Sequence, residues 1–154
     1  MGNLSTGLKA GVTAGLFDVP VAVILTIITE SWLYSAHTQP YFLHFVIFVT
    51  IFYGVPFIIS GVFIGLVFGY SYTYLPGKTA IIKSIILNVG IWLLRNIYNL
   101  SALLQAQEVN IAFYVLLSRS LAVTLVLGYL LGHFWIKFKQ KTPEIHPLEE
   151  NKDT

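Results

Sequence analysis

Phe42 to Tyr74 reads FLHFVIFVTIFYGVPFIISGVFIGLVFGYSYTY, without one Asp, Glu, Lys or Arg. A hydrocarbon core of about 30 Å needs roughly 20 helical residues. The stretch is therefore long enough to cross a bilayer, with length to spare for tilt or for turns projecting beyond it. Three further apolar segments, roughly 8–34, 80–104 and 110–136, have comparable character. The sequence thus predicts an all-α polytopic membrane protein, with four transmembrane helices in an antiparallel bundle. Residues 1–136 would form that domain, and the polar stretch 137–154 a disordered cytoplasmic tail.

Composition agrees. Hydrophobic residues make up 56% of the 154, charged residues only 10%, and the mean hydropathy is +0.75. A soluble domain of this length could not hide so much apolar surface. Four spans also leave no room for a soluble catalytic domain. With no cysteine in the chain, disulfides, thiolate metal sites and cysteine nucleophiles are excluded.

The lysines orient the bundle. Lys9 opens the first segment, Lys78 and Lys83 flank the connection between the second and third, and Lys137, Lys139, Lys141 and Lys152 follow the fourth. The connections around 35–41 and 105–109 carry no Lys or Arg. This asymmetry places both termini in the cytoplasm, most simply in a plasma-membrane protein. Tyr70, Tyr72 and Tyr74 suit the inner aromatic belt, and Trp32, Tyr34 and Tyr41 the outer one. The first segment, too long for a signal core and containing Asp18, reads as a retained anchor. Leu75-Pro76-Gly77-Lys78-Thr79 is a compact breaker, with Thr79 placed to cap the next helix. Short connections predict that consecutive helices are antiparallel neighbours.

Helical spacing then sorts the spans into faces. Gly7, Gly11, Gly15, Asp18, Ala22, Thr26 and Thr29 share one side of the first span. Gly54, Gly61, Gly65 and Gly69 share one side of the second. Small residues let helices approach closely, within one chain or between copies. Pro20 and Pro56 are expected to kink these two spans.

The third span has a polar stripe of Ser84, Asn88, Arg95 and Asn99, with Asn96 beside it. In the fourth, Arg119 stands between Ser118 and Ser120. An arginine at the centre of a span costs from about 2.5 to more than 10 kcal/mol when it faces lipid. These groups should face the bundle interior, a water-filled cavity or a partner. At about 1.5 Å of rise per residue, both arginines lie roughly 13 Å below the outer boundary, with Asp18 about 10 Å deeper. A pair of Asp18 with Arg95 is the expected neutralisation; Arg119 would turn upward to Glu30 or Glu108, or meet a partner's carboxylate or an anion.

No other chemistry emerges. His37 and His44 near the outside, His133 near the inside and His146 in the tail have no metal-ligand spacing. No phosphate-binding glycine loop, nucleophile constellation or basic–aromatic run appears, so no cofactor, no metal, no nucleic acid and no enzymatic activity are expected. Two readings remain, the first preferred and the second its alternative. One is a non-catalytic subunit of a larger membrane complex, packed against other subunits or itself. The other is a small homo-oligomeric transporter or channel for an anion or polar solute, using Arg95 and Arg119.

Overall fold

The computed structural model describes residues 2–34, 42–105 and 111–140. These form five helices and no strand: α1 (Gly2–Tyr34), α2 (Phe42–Ser71), α3 (Ala80–Arg95), α4 (Ile97–Gln105) and α5 (Ile111–Gln140). The expected tail beyond Gln140 and the two outer connections lie outside the described residues. So do Tyr41, His37, Glu108, Lys141, His146 and Lys152.

Three helices are long and apolar enough to cross a membrane, over Leu4–Trp32, Thr50–Ser71 and Ile111–Gln140. Their outward faces carry large apolar side chains. Ile24 and Ile28 of α1, and Ile59 and Phe63 of α2, are all more than half exposed. Such faces belong against lipid rather than water.

The third apolar segment differs from the continuous span expected at 80–104. It is divided at Asn96, whose backbone (φ −101°, ψ 11°) leaves the helical region. The Asn96 amide and its side-chain Nδ2 both donate to the Trp92 carbonyl, at 3.0 and 2.9 Å. Helical bonding resumes when Leu100 N donates to Asn96 O at 2.8 Å. An asparagine offers the backbone this kind of competing hydrogen bond. By contrast, α1 and α2 run through Pro20 and Pro56 as single helices.

Lateral order departs from chain order as well. α1 packs extensively on α2 and α5, and α3 on α5, whereas α2 scarcely touches α3 despite the short turn joining them. The turn is held locally. Gly77 adopts φ +129°, a conformation glycine adopts without steric cost. Thr79 Oγ1 accepts from Ile82 N at 3.3 Å as the N-cap of α3.

Two backbone contacts bring the helices close. Gly61 of α2 lies so near α1 that a Cβ there would stand 2.6 Å from the Gly11 carbonyl oxygen and 2.9 Å from Gly15 Cα. Gly7 faces Gly65 and Gly69 in the same interface, while Gly54 has more room, 3.6 Å from Val19 Cγ1. On the other side, a Cβ on Gly132 of α5 would meet Ile81 Cα and Ser84 Oγ of α3, both at 2.5 Å.

The tight core lies at the lysine-bearing end. Ala10 and Ala14 meet Ile64, Phe68, Leu127, Leu131 and Trp135 there. Tyr72 stacks on Trp135 with centroids 4.7 Å apart, and Lys83 Nζ donates to Tyr72 O at 2.8 Å. Above this core, α2 and α3 part and leave a cavity.

Candidate functional site: an intramembrane cavity with two arginines

The site begins with a four-residue rhythm on α3. Ala80, Ser84, Asn88, Trp92 and Asn96 are all buried and follow one another at intervals of four. Arg95 and Asn99, expected on the buried stripe, are exposed at its edge instead. The buried polar groups are satisfied largely by helix backbone. Ser84 Oγ donates to Gly128 O at 2.5 Å or to Ile81 O at 3.0 Å. Asn88 Nδ2 donates to Ser84 O at 2.9 Å, and Asn99 Nδ2 to Asn96 Oδ1 at 3.1 Å.

Trp92 ties α3 to α5: its Nε1 donates to Ser120 Oγ at 2.8 Å. The Ser120 hydroxyl in turn donates to Leu117 O at 2.9 Å, and Thr124 Oγ1 to Ser120 O at 2.8 Å. These hydroxyl protons are thus spent on α5's own backbone.

Arg119 clasps α1. Its Nη1 donates to Thr29 Oγ1 at 2.7 Å and lies 3.2 Å from Glu30 Oε1. Thr29 can accept because its own proton goes to the carbonyls of Leu25 or Thr26. Among the expected outcomes for Arg119, the structure shows the upward pair with Glu30.

Arg95 has no hydrogen-bond or ion-pair partner among the described residues. It stands with Arg119 on the wall of a cavity of about 350 Å³. Four helices build that wall: Thr26 from α1, Phe57 and Ser60 from α2, Asn88 and Trp92 from α3, Ser120 and Thr124 from α5. Ile64, Ile91, Val123 and Leu127 supply apolar surface. Among the described residues, no carboxylate lines the cavity.

Asp18 is not part of this cavity and does not pair with Arg95. It belongs to a buried α1 stripe, Ala10–Ala14–Asp18–Ala22–Thr26, again at intervals of four. Its side chain is wholly enclosed, and neither carboxylate oxygen has a hydrogen-bond partner among the described residues. Thr26 touches the cavity eight residues further along, roughly 12 Å by helical rise. Arg95 stands exposed at the edge of α3, a helix that α1 scarcely contacts, so the expected pair does not form.

His133 stacks beside Tyr129 on the exposed side of α5. Among the described residues, no group of three His, Asp or Glu is arranged to hold a metal ion. Sequence reasoning missed Trp92, Ser60 and Phe57 as cavity walls. Trp92 had a signal, lying four residues from both Asn88 and Asn96. Ser60 and Phe57 had none, because their role depends on α2 standing away from α3. No family model, no curated protein and no solved structure matches the chain.

Proposed function

We propose that this chain is a small, non-catalytic membrane protein that binds and passes an anionic or polar solute through the cavity between α2 and α3. The observation that carries this reading is Arg95, a guanidinium unpaired among the described residues, on the wall of a cavity that none of their carboxylates lines. An intramembrane cation without compensation is costly, and a bound anion or cavity water supplies the compensation. In this reading α3 and α4 together make a fourth crossing, broken at Asn96 beside the cavity. Irregular backbone at membrane depth is tolerated where it lines such a space. Both termini then lie in the cytoplasm, and the lysine-bearing end faces the inner leaflet of the plasma membrane.

Flux of anions from liposomes tests the reading. Wild-type vesicles should release a trapped anion, and Arg119→Leu and Arg95→Leu should suppress that release. Vesicles that pass no anion would sink the transport reading.

A second reading, a subunit of a larger membrane complex, is favoured by one specific feature: Arg95 is exposed as well as unpaired, so a partner's carboxylate could reach it. Extraction in mild detergent and intact-mass measurement separate the two. A particle built only of this chain supports the transporter, and a mixed particle supports the subunit.

A further inference from the structure

We infer that the cavity is selective for an amphiphilic monoanion, a single negative headgroup on an apolar body, rather than for a small inorganic ion. The inference rests on the reading above for the identity of the site, and adds the class of ligand.

Charge count comes first. Arg119 is already matched by Glu30 at 3.2 Å, whereas Arg95 is matched by nothing among the described residues. The cavity therefore has one positive charge to answer, which suits one negative charge better than two.

Donor placement comes second. Ser120 and Thr124 have committed their protons to backbone carbonyls, and Trp92 has committed its N–H to Ser120. The Thr26 and Ser60 hydroxyls and the second N–H of Asn88 remain as neutral donors, and the charged donors are the two guanidinium groups. Guanidinium presents paired donors that fit a carboxylate or phosphate in a fork.

Shape comes third. On α3, Arg95 is seven residues from Asn88; on α5, Arg119 is eight from Leu127. Both intervals span about 10–12 Å of helical rise. The cavity thus extends along the helices with its cations toward one end and Ile64, Leu127 and Asn88 toward the other, the Asn88 amide being tied to Ser84 O. Its volume of 350 Å³ corresponds to roughly a dozen waters at about 30 Å³ each. A bare halide would fill a small part and leave the apolar end uncovered. An octanoate-like ion places its carboxylate between the arginines and its chain against Ile64, Ile91 and Leu127. A monoanionic lipid whose phosphate reaches Arg95 offers the same chemistry from another source.

The test is calorimetric titration of the full chain in phosphatidylcholine nanodiscs, with octanoate, acetate, chloride and 1-octanol as probes. Arg95→Gln discs provide the background for partition into lipid. Octanoate should bind saturably. Acetate and chloride, lacking the body, and octanol, lacking the charge, should each bind about tenfold more weakly or less. Arg95→Gln should lose octanoate binding by a similar factor, and Arg95→Lys should recover part of it. If the occupant is a lipid, phosphatidylglycerol discs will block octanoate, or native phosphatidylglycerol will copurify and be lost in Arg95→Gln. Either result supports the same class.

Acetate, chloride or octanol binding as well as octanoate overturns the inference, as does Arg95→Gln binding unchanged. So does the absence of both octanoate binding and a phosphatidylglycerol effect. Octanoate binding without flux would reject transport and keep this assignment. Chloride flux without octanoate binding would do the reverse.

Discussion

Arg119 reaches across from α5 to Glu30 of α1, 3.2 Å away, and closes the two helices together beside the cavity. The pair is only partly exposed, 16% and 22% by side chain, so water screens it incompletely. Glu30→Gln should lower stability by about 1–3 kcal/mol, because Arg119 keeps its charge and loses its counter-charge. Glu30→Leu combined with Arg119→Leu should cost less than the sum of the single changes. Denaturation of the four proteins in one detergent gives the coupling directly, and strict additivity would mean that the pair does not interact.

The α1–α2 contact predicts a contrast between two glycines. Gly61→Val places a branched side chain where even a Cβ meets the Gly11 carbonyl; the expected cost is about 3 kcal/mol. Gly90→Ala meets nothing within 4 Å and should be neutral or stabilising, by up to about 1 kcal/mol. Thermal midpoints of the two variants compare them. Equal effects would mean that α1 and α2 are not so close.

Asp18 is enclosed, and its two carboxylate oxygens have no hydrogen-bond partner among the described residues. A buried polar group left unsatisfied costs about 1–3 kcal/mol. Asp18→Ala, which removes both oxygens and adds no volume, should therefore raise the thermal midpoint in detergent. A marked fall would show that Asp18 has a partner in the membrane-embedded protein.

The absence of cysteine makes topology directly measurable. In the proposed arrangement, Lys78→Cys should react with an impermeant maleimide only from the cytoplasmic side, and Gln107→Cys only from outside. If both label from the same side, α3 and α4 do not complete a crossing.

Much of the helix content was legible from composition and hydropathy. Three of the four apolar segments are long helices with candidate spans, and Thr79 caps α3 where the breaker motif ended. The break in the remaining segment was hidden because no proline or glycine marks it. It lies at Asn96, whose backbone leaves the helical region while its side-chain Nδ2 adds a second donor to the Trp92 carbonyl, a local conformation that hydropathy does not register. Within the candidate site, the arginines and asparagines were visible as costly residues in apolar segments. Their partners were not. Arg119 bonds to residues some ninety positions away, and periodicity gives a face without saying what stands opposite.

By itself the sequence determined that this chain forms long apolar helices, and which residues would be expensive to leave in lipid, because both follow from side-chain transfer energies and helical rise. Only the tertiary structure decided the lateral order, with α2 against α1 and scarcely against α3. That order opens the cavity, joins Arg119 to Glu30, and leaves Arg95 and Asp18 each unpaired among the described residues. The physical reason is that close approach depends on where glycine faces meet in three dimensions, and a one-dimensional spacing leaves the choice of neighbour open.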